Sequence, residues 1–231
     1  MITCTNLELG YNNISIMPAF NLKINKNQWI GIIGKNGTGK STFLKTILGL
    51  IPAISGELTI FNKIPRKCNK LISYIPQERE INLATNMSGA DLISITFRGW
   101  QYGLIWVNKK LKTKVEELIA LVGAIDYAHQ PFYTLSGGQK KRIYLAQALI
   151  NQPQILLLDE PLADLDVDAK HHFIEALSKI QQYQQLGIMI ISHDMHEIAQ
   201  YLDAFIHFNK SKGVHYCPTI DCIKEDVYVG L

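Results

Sequence analysis

No apolar run in the 231 residues approaches the ~18 needed to cross a bilayer as a helix. The apolar runs Trp29 to Ile33, Ile155 to Leu158 and Ile188 to Ile191 are short and bounded by glycine or charge. The start, Met1 to Glu8, lacks both the basic segment and the apolar segment of a secretion signal. A chain of this kind is expected to be soluble and to serve a membrane, if at all, from its side. Cysteine is scarce: Cys4, Cys68, Cys217 and Cys222 follow no disulfide framework, which fits a reducing cytosol. Cys217 and Cys222, with His207 and His215 nearby, are spaced more widely than the usual zinc pair, and ordinary thiols are the plainer reading. Charge of one sign is never concentrated in a long block. The net charge of +3 and pI of about 8.6 are too mild to imply a nucleic-acid partner, which would need a clustered basic stripe. Repeats and low-complexity stretches are also missing.

What is present is an alternation of strands and helices. Thr3 to Leu9 alternates weakly and reads as an edge strand, with a turn over Gly10 to Asn13 and a partner strand from Phe20 to Ile24. Trp29 to Ile33 reads as a central strand running into Gly34. A helix beginning near Lys40 carries Phe43, Leu44, Ile47 and Leu48 on one face and stops at Gly49 and Pro52. Leu71 to Ile75 is a further strand. The pattern changes between about residues 82 and 134, where Leu111, Val115, Leu118, Ile119 and Val122 mark an amphipathic helix ended by Gly123. Strand, helix and strand then resume at Ile155 to Leu158, about 167–185 and Ile188 to Ile191. Fully apolar runs of this length suit parallel strands buried on both faces.

Two stretches carry chemistry. Gly34, Lys35, Asn36, Gly37, Thr38, Gly39, Lys40 and Ser41 match G-x-x-x-x-G-K-[ST] in full, after an expected strand and before an expected helix. Its glycines let successive backbone N–H groups turn inward as an anion nest, and the helix N-terminus adds partial positive charge. Lys40 is expected to reach the β- and γ-phosphates, and the Ser41 hydroxyl to ligate Mg2+. Asp159 and Glu160 close the apolar run Ile155 to Leu158, at the sheet edge where α/β folds bind ligands. Asp159 is placed to hold Mg2+, and Glu160 to polarise an attacking water. The expected fold is α/β: a P-loop ATPase core with a mainly parallel sheet (1–81 and 135–231), an N-terminal antiparallel β element, and an inserted α-helical subdomain at about 82–134.

The run Leu135-Ser136-Gly137-Gly138-Gln139 narrows the family. With the loop 34–41 and the acidic strand 155–160 in the same order, the chain resembles the ATP-binding-cassette (ABC) ATPases along nearly its whole length. The resemblance implies one cassette spanning 1–231 that binds ATP and Mg2+. It makes Gln77 a coupling and metal-contacting glutamine and His193 a switch histidine. Tyr11 becomes the aromatic stacked on adenine, and Thr42 joins Ser41 beneath the phosphates. Ser136, Gly137, Gly138 and Gln139 would cap the γ-phosphate bound to a second protomer. Leu165-Asp166 resembles the loop that crosses that interface, although Ala163-Asp164 stands where Ser-Ala is common. Taken singly, Gln77 is an ordinary strand-end residue, His193 a core histidine and Tyr11 a turn aromatic; order and spacing give them weight. Lys140, Lys141 and Arg142 read as a solvated face or positive rim rather than nucleic-acid binders.

Within the family, the spacing to Gln77 and the segment from Phe97 to Trp106 are similar to ATPase subunits of zinc or manganese importers. The implied partners are a second cassette protomer, taken as an identical copy, an integral membrane permease and, indirectly, an extracytoplasmic solute-binding protein. The implied place is the cytoplasmic face of the inner membrane, as a peripheral subunit. The aromatics of 97–106 suit either a groove for a permease helix or the insert's own core. A soluble cassette acting on a protein partner, in iron–sulfur cluster assembly or cell division, is the other reading of the same motifs.

Overall fold

Strands covered on both faces need apolar side chains at every position, and three segments meet that demand without interruption. In a computed structural model describing residues 1–12, 14–77, 86–97, 109–193 and 195–219, β3 (Trp29–Ile33), β6 (Ile155–Asp159) and β7 (Gly187–Ile191) are buried at each residue. They form the middle of a six-stranded sheet with β5 (Ile72–Ile75), β8 (Ala204–Asn209) and β9 (Gly213–Cys217), in the order β5-β6-β7-β3-β8-β9. All pairings are parallel except that of β8 with β9.

A second, antiparallel sheet is built from β1 (Ile2–Tyr11), β2 (Ile14–Ile24) and β4 (Ser55–Ile60). The segment expected to be an edge strand, Thr3 to Leu9, is instead the centre of this sheet, because β4 pairs with its other side. Ser55-Gly-Glu-Leu-Thr-Ile60 carries a glycine and an acid and gives little strand signal on its own. Its glycine is required: a Cβ on Gly56, at φ +80°, would lie 2.0 Å from the Asn6 carbonyl oxygen. That close approach sits where the β1–β4 register shifts between Thr5 and Glu8.

Between the two sheets lies α1 (Lys40–Ile47), whose Phe43, Leu44 and Ile47 are fully buried, as the 3.6-residue stripe requires. Gly49, at φ +69°, follows its end. The alternation of each central strand splits the core in two. Ile155, Leu157, Met189 and Ile191 face α1 and the antiparallel sheet. Leu156, Leu158, Ile188 and Ile190 face the helices α2 (Gly89–Thr96), α3 (Lys109–Leu121), α4 (Gly137–Leu149) and α5 (Val167–Gln184). Leu111, Val115, Leu118, Ile119 and Val122 are all buried in this second core. Residues 98–108, with Trp100 and Trp106, lie outside the described residues, as does Cys222.

Three aromatic rings pin α1 in place. Phe43 lies 6.0 Å from Phe20 of β2 and 5.5 Å from Phe208 of β8, and Phe20 lies 6.1 Å from Phe208, centroid to centroid. Each pair is worth about 0.5–1.5 kcal/mol beyond the area it buries. Replacing Phe43 by alanine is expected to cost about 3–5 kcal/mol of stability, measured by urea unfolding. A loss below about 1 kcal/mol would contradict this account of how α1 is held.

Candidate functional site

Parallel register brings four strand ends to one edge. Ile32 pairs with Ile191, Asp159 with Ile191 and Ile75 with Leu158, so Gly34, Glu160, His193 and Gln77 all follow strands that stop in line. The loop after β3 turns at once. Gly34 has φ +146°, and a Cβ there would lie 2.3 Å from the Phe208 carbonyl oxygen, so only glycine fits beside β8. Gly37 and Gly39 are also in the left-handed half of backbone space. Gly39 caps α1 with no side chain, and the first turn carries no acid. A helix start of this kind leaves N–H groups and partial positive charge for an anion.

Within the loop, Thr38 donates its hydroxyl to the Lys35 carbonyl at 2.8 Å. The Lys40 ammonium donates to the Gly34 carbonyl at 2.7 Å and the Lys35 carbonyl at 3.0 Å. Burial lowers the pKa of Lys40, while Glu160 and Asp159 act to raise it. Asn36 and Gly37 form the exposed crest of the loop, and Thr42 accepts the Thr46 hydroxyl within α1 at 2.9 Å.

The acids divide into a buried one and an accessible one. Asp159 is 4% exposed and accepts hydroxyls on both oxygens: Ser41 on Oδ1 at 3.2 Å and Tyr74 on Oδ2 at 3.2 Å. Burial raises its pKa, and the two hydroxyls pull the other way. Tyr74 was missed by sequence reasoning, since a lone tyrosine in a strand gives no sign of which carboxylate it faces. Glu160 adopts φ +50°, a strained conformation for this residue type, and donates its backbone N–H to the Ile191 carbonyl at 2.9 Å. Its carboxylate is gripped from two sides. Gln77 Nε2 donates to Oε2 at 3.2 Å, and His193 Nε2 lies 3.1 Å from Oε1.

Ser41, Asp159 and Gln77 offer hydroxyl, carboxylate and amide oxygens, the hard donor set that suits Mg2+. A buried carboxylate bridged to a hydroxyl at the foot of an anion-binding helix fits such an ion.

The remaining residues stand apart from this cluster. Ser136 opens α4 through a reciprocal cap: its hydroxyl accepts from Gln139 N–H at 3.3 Å, and Gln139 Oε1 accepts from Ser136 N–H at 2.9 Å. A Cβ on Gly137 would meet nothing within 4 Å, whereas one on Gly138 would press on Ala169 of α5 at 2.8 Å. A cleft of about 190 Å3 separates Gln77 from Gly137, with Lys140, Lys141 and Pro161 in its lining. Asp166 caps α5, accepting from Ala169 N–H at 2.7 Å. Tyr11 is exposed and pairs with Ile14, whose near neighbour Ile16 would lie 3.4 Å from a Cβ on Gly39. The expected solvated face or positive rim at 140–142 is only half exposed. Lys141 donates to the Ala163 carbonyl, Arg142 donates to the Gly123 carbonyl at 3.0 Å and covers the Tyr127 ring, and Lys140 covers the Phe132 ring. These partners are distant in sequence, so a run of basic residues gave no hint of them. Among the described residues, no group of three His, Cys, Asp or Glu side chains stands ready to hold a metal, and no helix is long and apolar enough to cross a membrane.

A phosphate loop joined to an acidic strand end on a parallel sheet defines a nucleotide-binding α/β protein. The family profile for ABC transporters matches residues 18–163. The manganese transport system ATP-binding protein MntB of Bacillus subtilis (strain 168) is 31% identical over 211 residues, covering 89% of this chain and 82% of that protein. The zinc import ATP-binding protein ZnuC of Hydrogenovibrio crunogenus is 30% identical over 219 residues, covering 94% of this chain and 80% of that one. Among solved structures, the dimeric post-hydrolysis ATP-binding cassette MJ0796, bound to ADP and Pi, superposes with a TM-score of 0.77. It is 23% identical and covers 94% of this chain and 97% of that one, a likeness of fold. The chain belongs to the ABC transporter family and is an ATP-binding ATPase of that family.

Proposed function

We propose that this chain hydrolyses ATP as the paired cytoplasmic motor of a divalent-metal importer, zinc or manganese, acting through a separate membrane permease. The single observation that carries the hydrolytic half is the grip of Gln77 and His193 on the Glu160 carboxylate, at the edge that also holds the loop 34–41. The metal half rests on the names of the relatives at about 30% identity. An extracytoplasmic solute-binding protein belongs to the same proposal as an indirect partner.

In this mechanism the N–H groups of residues 35–42 and the start of α1 take the β- and γ-phosphates. The Lys40 ammonium leaves the Gly34 and Lys35 carbonyls for the phosphate oxygens, a switch between acceptors already within its reach. Tyr11, exposed on the hairpin beside Gly39, stacks on adenine. Ser41, Asp159 and Gln77 would hold Mg2+, which supplies charge neutralisation at the β- and γ-oxygens. Glu160 accepts a proton from the attacking water while Gln77 and His193 hold its carboxylate toward the γ-phosphate. His193 and Lys40 offset the charge that spreads over the transferred group.

A Cβ on Gly137, at the start of α4, would meet nothing within 4 Å, so that helix end has open space over it. A second, identical protomer arranged head to tail would bring Ser136, Gly137, Gly138 and Gln139 onto the γ-phosphate, with Asp166 beside the crossing loop. The fold neighbour whose structure is dimeric, with ADP and Pi bound, supports the pairing of two cassettes. Opening after hydrolysis would pass through Gln77 and residues 82–134 to the permease.

Glu160→Gln should keep ATP binding, lose about 100- to 10,000-fold in turnover, and run as a dimer in size exclusion with ATP; near-normal turnover would remove Glu160 as the base. Affinity capture of the tagged protein from gently solubilised native membranes should bring down a multi-spanning permease. Recovery of soluble partners alone would favour a cassette that acts on a protein and would overturn the transport half.

A further inference from the structure

Asp159 is held from a direction that the reaction itself does not call for. Its Oδ1 faces Ser41, on the side of the phosphate loop, and its Oδ2 is turned to the Tyr74 hydroxyl at 3.2 Å. The strand register explains why a tyrosine can do this. Tyr74 stands opposite Leu157 in the β5–β6 pair, and Asp159 lies two residues further along β6 on the same face. Two strand residues span about 6.6 Å, a gap a phenol bridges and a serine or threonine does not. The ring itself is fixed, packed on the core between α1 and the sheet.

We propose that Tyr74 is a positioning residue for the metal site: its hydroxyl occupies one oxygen of Asp159 and keeps the other turned toward Ser41 and the ion. This rests on the reading of Ser41 and Asp159 as metal-holding groups. A carboxylate at a strand end rotates about two bonds. With no outer partner, it would divide its time between orientations that face the ion and orientations that do not. Tyr74 touches neither nucleotide nor water in this scheme, and its effect reaches the ion only through Asp159. The consequence is a separation of effects. Loss of the hydroxyl weakens metal-dependent binding while leaving the phosphate loop and the adenine contact as they were.

Tyr74→Phe removes one oxygen and keeps the ring in its packing. Binding of a fluorescent ATP analogue to the purified 231-residue chain would be titrated in EDTA and again across a Mg2+ series, with Mn2+ and electron paramagnetic resonance as an independent count of bound ion. The expected result is equal affinity in EDTA and an apparent metal constant weakened by about 10- to 100-fold in the variant, with turnover recovered at saturating Mg2+. Equal metal constants in wild type and Tyr74→Phe overturn the proposal, and so does a loss of affinity that is already present in EDTA, which is what a packing defect would produce. Asp159→Asn, run alongside, separates the two levels. If it loses metal dependence while Tyr74→Phe does not, Tyr74 alone is wrong. If neither variant loses it, the metal reading of Asp159 falls and the Tyr74 proposal falls with it.

Discussion

The parallel register of β5, β6, β7 and β3 is the constraint on which the site depends. Parallel strands in register end together, and here each strand ends within a residue of its neighbour. Four of the groups argued to act on the nucleotide lie one or two residues beyond such an end: Gln77 after β5, Glu160 after β6, His193 after β7 and Gly34 after β3. A slip of one residue in any pair would send a whole strand's side chains to the opposite core. The two cores on either side of the sheet, one with α1 and one with α2 to α5, therefore secure the chemistry as well as the fold.

Around that edge the chain spends conformational freedom in a few places. Gly34 fits only as glycine against the Phe208 carbonyl. Glu160 is held at positive φ by its N–H bond to Ile191, and Asp164 repeats the conformation four residues on. Local strain of this kind costs about 1–3 kcal/mol at each position and persists because the surrounding packing over-determines it. Lys141, reaching from α4 to the Ala163 carbonyl, ties the strained loop to the helix that begins at Ser136. One hydrogen bond thus links the helix that begins at Ser136 to the loop after Glu160.

Much of this was legible in the sequence because it is local or periodic. The loop 34–41 is a contiguous motif, α1 and α3 show 3.6-residue stripes, and β3, β6 and β7 are unbroken apolar runs. What escaped is what depends on distant partners. β4 lacks a pattern of its own and becomes a strand only by pairing with β1, which is why β1 reads as an edge strand. Lys140, Lys141 and Arg142 look solvated until Phe132, Ala163 and Gly123 are brought beside them. Tyr74 acquires a role only from the β5–β6 register. Motif reasoning named the residues at the strand ends, but not Tyr74, which holds Asp159.

The most direct test of the central claim, that the edge built by these strand ends takes ATP through the loop 34–41, is calorimetric titration of ATP with Mg2+ into the wild-type chain and into Lys40→Ala. The account predicts saturable binding to the wild type and a loss of at least about tenfold in affinity for the variant, with unchanged thermal stability in the absence of nucleotide. Equal affinity for the two proteins would contradict it, and the phosphate site would have to be sought elsewhere on the molecule.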